Sequence, residues 1–311
     1  MKPRLLVTGA SGFLGWNLCR EALPAWDVVG VVHQGDAVPP GVAVVRADLR
    51  LPGDLSRLLD EAAPDAVVHL AAIADAGLCQ RDPGGSFPLN VGAPVHLARL
   101  CAERDLLLAF ASTDLVFAGT AAPYTETDTP DPVCLYGRQK ALAERLVLAA
   151  YCGALVCRLP LLFGEPSPRS GSFLSGMLRE LRAGRPVRLF TDEFRTPAAA
   201  TCVARGLLGL LGNTHGICHL GGPERLSRFA FGELVAARFN LDLALLLPTR
   251  QADLTLACPR PPDVSLDSAR ARRFGYAPLP PAEALMALKA PDMVTGSFVV
   301  QALAWYFLDR A

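Results

Sequence analysis

Apolar residues in the first half of the chain fall into short unbroken runs. Leu5-Leu6-Val7, Val28-Val29-Gly30-Val31-Val32, Val42-Ala43-Val44-Val45, Ala66 to Ala72, Leu106 to Ala111 and Ala154-Leu155-Val156-Cys157-Arg158 each read as a strand. Such runs suit strands buried on both faces, not the alternation of a half-exposed sheet. Between them, Trp16–Leu23, Asp54–Glu61, a segment reaching Glu103 that includes Asn90-Val91, and the stretch from Tyr136 to Ala150 carry helical periodicity. Pro24 stops the first of these helices. Strand and helix alternating with short connections predict an α/β fold, a doubly wound parallel sheet of Rossmann type. Ligands of such sheets bind outside the carboxyl ends of the strands, so the residues at those ends are the candidates for function.

Beyond Gly164 the rhythm loosens. Helices are predicted over 171–183, 198–211, Ser227–Phe239 with Ser227 as N-cap, and Asp267–Phe274 with Gly275 as its stop. A Pro-rich connection spans 254–262. This pattern predicts a dinucleotide-binding domain over residues 1–164, whose core continues into later segments, and a smaller α/β lid over 165–311. The lid would close over the carboxyl edge of the sheet.

The first strand breaks at Gly9-Ala10-Ser11-Gly12-Phe13-Leu14-Gly15 into the first helix. Glycine at the first position permits the tight turn. At the second it lets an anion approach the backbone, and at the third it lets the helix sit close to the strand. The helix N-terminus adds unpaired N–H groups, so the turn is suited to a diphosphate. The second strand ends at His33, with no acidic residue until Asp36. A carboxylate there would repel a 2′-phosphate, so the sequence leans to NADP(H), with NAD as the alternative; His33 equally fits an incidental surface position. Asp48 follows the third strand, placed either to accept from an adenine amino group or to cap a turn. Ala71-Ala72 end the fourth strand with small residues that let a cofactor lie against the backbone. His69, inside an apolar run, reads as a core histidine.

The fifth strand delivers Ser112-Thr113-Asp114, and a Pro- and Thr-rich loop from Ala118 to Val133 is expected to pass over the site. Tyr136 and Lys140 stand four apart at the start of a helix and share a face. A phenol of ordinary pKa about 10 needs a neighbouring cation to exchange a proton near neutrality; three units correspond to about 4 kcal/mol. Lys140 is placed to be that cation, and Thr113 to polarise a carbonyl oxygen. Together they suit protonation by Tyr136 of a carbonyl reduced by a nicotinamide.

Charge and cysteine usage narrow the partners. Thirty basic and thirty acidic residues cancel, and no basic block stands out, so a nucleic-acid partner is not expected. The nine cysteines form no C-x-x-C pair and sit mostly in apolar runs, which predicts reduced thiols in a cytoplasmic protein. Neither they nor the five histidines show metal-ligand spacing, so no metal is expected. The N-terminal apolar run is too short for a signal peptide, and Met293–Leu308 falls short of the ~20 residues of a membrane span. That tail reads as a packed helix or as an oligomer contact, which leaves a homodimer open.

Thr8-Gly9-Ala10-Ser11-Gly12-Phe13-Leu14-Gly15, Asp48-Leu49, His69-Leu70-Ala71-Ala72, Asn90-Val91, Ser112-Thr113-Asp114 and Tyr136-Gly137-x-x-Lys140 resemble the extended short-chain dehydrogenase/reductase family. Ser112 to Thr120, Tyr124-x-Glu126-x-Asp128, Pro132 and Arg260-Pro261 with Leu266-Asp267 are most similar to its group of dTDP-4-dehydrorhamnose reductases and the regulatory β subunit of methionine adenosyltransferase. The resemblance covers residues 4–289 and is specific through Lys140. It implies a catalytic set of Thr113, Tyr136 and Lys140. Cofactor contacts are implied at Gly9, Ser11, Gly12, Phe13, Leu14, Gly15, His33, Asp48, Leu49, Leu70, Ala71, Ala72, Ser112, Tyr136, Lys140, Pro160 and Leu161. It also implies a nucleotide-linked 4-keto sugar as substrate, bordered by Val116 and Phe117. Leu115 replaces the acidic residue that dehydratases of this family carry, which argues against dehydration. The acidic residue that the family often has in the segment matching Thr196–Arg205 is missing here. Arg195 and Arg260 either bind a diphosphate or pair with Asp192, Glu193 or Asp263; the sequence leaves both open. A non-catalytic NADP-binding regulatory subunit and a nucleotide-sugar epimerase are the alternative functions.

Overall fold

The computed structural model describes residues 1–33, 35 and 37–288. The apolar runs form strands β1 (Arg4–Thr8), β2 (Asp27–Val32), β3 (Ala43–Arg46), β4 (Ala66–His69), β5 (Leu107–Thr113) and β6 (Leu155–Leu159). Helices α1 (Phe13–Ala22), α2 (Pro52–Ala62), α3 (Ala76–Arg81), α4 (Pro83–Phe87), α5 (Ala93–Glu103) and α6 (Leu135–Ala150) lie between them. The first helix starts earlier than its periodicity predicts, because Gly12 is already extended and acts as the N-cap. Asn90 falls in a π-helical turn, Pro88–Gly92, just ahead of α5.

The remainder adds β7 (Leu162–Phe163), β8 (Val187–Phe190), β9 (Phe194–Arg195), β10 (Ala198–Ala199), β11 (Gly216–His219), β12 (Leu226–Ser227) and β13 (Leu246–Thr249). Its helices are α7 (Phe173–Arg182), α8 (Ala200–Leu210), α9 (Arg228–Phe239), α10 (Ala269–Arg272) and α11 (Pro281–Met286). Ser227 caps α9 by accepting from the Ala230 N–H at 3.0 Å. The strands in this half are too short and too mixed in composition for periodicity to have marked them.

The central sheet has seven strands in the order β11-β6-β5-β4-β1-β2-β3, all paired in parallel. The order reverses between β1 and β4, and a crevice opens at such a switch point. One face packs Leu18, Cys19 and Ala22 of α1 against Val203, Leu207 and Leu210 of α8 over Leu5, Val7 and Val68. The other packs Leu55, Leu58, Leu97, Ala143 and Val147 of α2, α5 and α6 over Leu6, Val67 and Phe110. Thus α8 and β11 return from the second half to complete the sheet.

The second half has its own core of Phe163, Phe173, Met177, Leu178, Phe231 and Val235. The loop from Ala118 to Val133 differs from expectation. Tyr124 is buried, its hydroxyl accepts from the Gly119, Thr120 and Ala121 N–H groups, and its backbone N–H donates to Ser265 O. The hydroxyl bonds close the loop on itself, the backbone bonds of Tyr124 with Ser265 and Asp267 hold it to the segment at 263–267, and no residue from 118 to 133 lines the cavity described below. Among the described residues no helix is long and apolar enough to cross a membrane. Asp36 and the Met293–Leu308 tail, with the oligomer contact expected of it, lie outside the described residues.

Candidate active site

A cavity of about 590 Å³ opens at the carboxyl ends of β1, β4, β5 and β6 and is walled on its far side by the second half. The glycine turn forms its floor. Gly9 has φ +69°, and a Cβ there would stand 2.9 Å from the Ala71 nitrogen. A Cβ on Gly15 would collide with the Gly9 carbonyl oxygen. Thr8 ties the turn to the end of β4: its hydroxyl accepts from the Leu70 and Ala71 N–H groups at 3.1 and 3.3 Å and meets His69 Nδ1 at 2.8 Å. These are the close backbone approaches that a dinucleotide diphosphate requires, so the turn fits such a group.

Thr113, Tyr136 and Lys140 line this same cavity. Tyr136 and Lys140 sit in the first turns of α6, whose N-cap is Cys134, its Sγ accepting from the Gly137 N–H at 3.4 Å. Lys140 is 2% exposed, with Nζ 4.0 Å from the centroid of the Phe110 ring. Burial lowers its pKa to about 7, against a raising influence from Glu144. The aromatic face stabilises the ammonium in part. His69 is also stacked on Phe110, at 5.9 Å between centroids, and burial holds it neutral, with a pKa lowered to about 3.

Thr113 Oγ1 accepts from the Leu115 N–H and donates to Asp114 Oδ1, both at 3.2 Å. Asp114 is buried; burial raises its pKa to about 6, opposed by Arg195 and Arg228. Its Oδ2 lies 3.5 Å from Arg195 Nε. From Arg195 the charges continue to Glu193, which is fully buried and shared by Arg195 at 3.4 Å, Arg228 at 2.6 Å and Arg260 at 2.5 Å. Burial pushes the Glu193 carboxyl up, but the three guanidiniums outweigh it and hold it well below the ordinary range. All three arginines line the cavity. Of the two readings left open by the sequence, the ion pairs with Glu193 are present.

The expected cofactor positions divide. Gly9, Gly12, Phe13, Leu14, Gly15, Leu70, Ala72, Ser112, Pro160 and Leu161 line the cavity. Ser11 lies within the turn and Ala71 beside it, neither lining the cavity, Leu49 is buried against α2, and His33 is exposed at the end of β2. The Asp48 carboxylate accepts from the Arg50 backbone N–H at 3.0 Å and from its guanidinium, which holds its pKa down to about 2. That is the turn cap the sequence allowed.

Val116 and Phe117 require correction as substrate contacts. Both are fully buried, with Tyr124, Val264 and Leu266. Phe117 stacks on Tyr124 at 4.0 Å. The tight turn Asp114–Val116, capped by Thr113, directs them inward, and Leu115 faces the cavity instead.

Sequence reasoning missed a buried clamp beneath the site. Glu144 accepts from Ser112 Oγ and pairs with Arg158 at 2.8 Å, and Arg158 reaches His219 at 3.3 Å. The clamp fixes α6, carrying Tyr136 and Lys140, to the ends of β5 and β6. Two signals pointed to it. Arg158 is a charge inside an apolar strand, which demands a buried partner, and Glu144 follows Lys140 by four on the same helix face. Arg228 was also missed; it is the first residue of α9, and nothing local in the sequence sets it apart.

Comparison with known proteins places this geometry in a family. The model of the RmlD substrate binding domain matches residues 2–290. The methionine adenosyltransferase 2 subunit beta of Rattus norvegicus is 29% identical over 280 residues, covering 88% of this chain and 82% of that protein. The probable low-salt glycan biosynthesis reductase Agl14 of Haloferax volcanii is 31% identical over 265 residues, covering 84% of this chain and 88% of that protein. A dTDP-4-dehydrorhamnose reductase from Bacillus anthracis, solved in complex with NADP, shares the fold with a TM-score of 0.81 at 21% identity, covering 92% of this chain and 98% of that one. The chain belongs to the RmlD substrate-binding-domain family, within the extended short-chain dehydrogenase/reductases, whose architecture is that of NAD(P)-dependent oxidoreductases.

Proposed function

We propose that the protein is an NADP(H)-dependent reductase of a nucleotide-linked 4-keto sugar, similar to dTDP-4-dehydrorhamnose reductase. The observation that carries this reading is that Thr113, Tyr136 and Lys140 share one cavity with the glycine turn and with three arginines. When bound, the reduced nicotinamide supplies hydride. Tyr136 gives its proton to the keto oxygen, and Lys140, as ammonium, lowers the cost of the phenolate left behind. Thr113 orients that oxygen by turning its hydroxyl proton from Asp114 Oδ1 to the keto group. Arg195, Arg228 and Arg260 hold the diphosphate by charge-assisted bonds, and Glu193 keeps them splayed and charged in a buried wall. On this reading residues 1–164, with α8 and β11, hold the dinucleotide, and the rest holds the sugar nucleotide. The buried free thiols fit a cytoplasmic setting.

The test is to incubate the full chain with NADPH and dTDP-4-dehydrorhamnose, then with related 4-keto nucleotide sugars, and follow NADPH fluorescence. Oxidation of NADPH with at least one of them is expected. No oxidation with any would overturn the reading. The similarity to the rat methionine adenosyltransferase subunit favours a second reading, a regulatory NADP-binding subunit. Co-purification with a methionine adenosyltransferase and no turnover would favour that one, and isomerisation without net NADPH loss would favour an epimerase.

A further inference from the structure

We propose that Arg169 recognises the 2′-phosphate of NADP(H), and that the segment 165–172 delivers it to the end of β2 from across the site. The proposal rests on the cofactor reading above and adds a subsite to it. Among the described residues the strand end offers His33 and then Gly35, which has φ +73°. A Cβ on Gly35 would collide with Arg169 Nη1, so the guanidinium fills the space a side chain at that turn would take. This is where the adenosine ribose of a dinucleotide lies in a doubly wound sheet.

The segment is anchored to the glycine turn at several points. Ser167 Oγ donates to the Ser11 carbonyl at 2.8 Å, Asn17 Nδ2 donates to the Glu165 carbonyl at 3.0 Å, and Arg20 pairs with Glu165. Ser167 Oγ in turn accepts from the Arg169 and Ser170 N–H groups at 3.2 and 2.8 Å. The next residues, Ser170, Gly171 and Ser172, line the cavity. One stretch of chain therefore walls the nicotinamide end and carries a guanidinium to the adenosine end. The Arg169 side chain is exposed, and among the described residues it has no ion-pair partner. Asp48, the carboxylate that follows β3, is already paired to Arg50. A planar guanidinium matches a phosphate dianion through two parallel hydrogen bonds and gains little from a neutral ribose diol.

The experiment is calorimetric titration of NADPH and NADH into the full chain and into Arg169→Gln and Arg169→Lys. Arg169→Gln should weaken NADPH by roughly 10- to 100-fold and leave NADH unchanged. Arg169→Lys should fall between, and the preference should shrink in high salt because the site is exposed. Equal weakening of both dinucleotides would make Arg169 a packing residue and overturn the proposal, as would an unchanged NADPH affinity. Wild-type protein that binds neither dinucleotide would remove the cofactor reading together with the proposal. Wild-type protein that binds both, with Arg169→Gln keeping the same preference, would remove the proposal alone.

Discussion

The two ends of the cavity handle buried charge in opposite ways. At the Tyr136 end one ammonium is buried over an aromatic ring, its nearest anion, Glu144, already paired to Arg158. At the lid end three guanidiniums crowd one fully buried carboxylate, with Asp114 beside them. The first arrangement keeps a lysine close to losing its proton, which suits a group that must respond to charge forming on its neighbour. The second keeps arginines permanently ionised and in fixed directions, which suits recognition of an anion. Lysine can be poised in this way because its pKa moves on burial, whereas arginine remains charged.

Tyr136→Phe strikes hardest at the first end. Turnover should fall about 10²–10⁴-fold, with NADPH affinity by calorimetry unchanged. Unimpaired turnover would reduce the phenol to a packing group. Glu193→Gln strikes the second end. It leaves three guanidiniums without their shared anion, and should cost about 3–5 kcal/mol in urea denaturation. Stability equal to wild type would show that Glu193 does not hold the arginines.

A pH series separates the ends further. Lys140 has a pKa lowered to about 7, so turnover that needs its ammonium should fall as pH rises through about 7. The same shift has the opposite sign for stability. The unfolded chain keeps the lysine proton up to 10.5 while the folded chain releases it near 7, so this group makes the fold more stable as pH rises between those values. A flat rate profile from pH 6 to about 9 would deny Lys140 the role given it. The smallest effect is expected at Phe117→Leu. Its ring is packed away from the cavity, so stability should drop by about 1–1.5 kcal/mol with KM for the sugar nucleotide unaltered. A raised KM would return Phe117 to the substrate wall.

The same contrast governs what could be read from the sequence. Six strands of the central sheet were legible because each is a continuous apolar run, and the glycine turn and the Tyr136–Lys140 pair were legible because their partners are near in sequence. The arginine cluster was legible only in part: Arg195 and Arg260 stood as candidates to pair with Glu193, but Arg228 and Asp114 join them from separate segments that meet only when the second half folds back. Val116 and Phe117 were misassigned because sequence order places them next to Thr113. In the fold both side chains are buried with Tyr124, Val264 and Leu266. The strands β7, β9, β10 and β12 span two residues each, too few for any alternation to register.

Strand β11 has a consequence for how this protein can change. It covers the flank of β6, and α8 covers α1, so a chain cut at Gly164 would leave a bare sheet border and an uncovered oily helix surface. The second half is therefore sewn into its neighbour and is not a cassette that recombination could exchange whole. New substrate preferences would have to accumulate by single replacements among the cavity-facing residues of 165–199 and 222–262, with the stitches left intact.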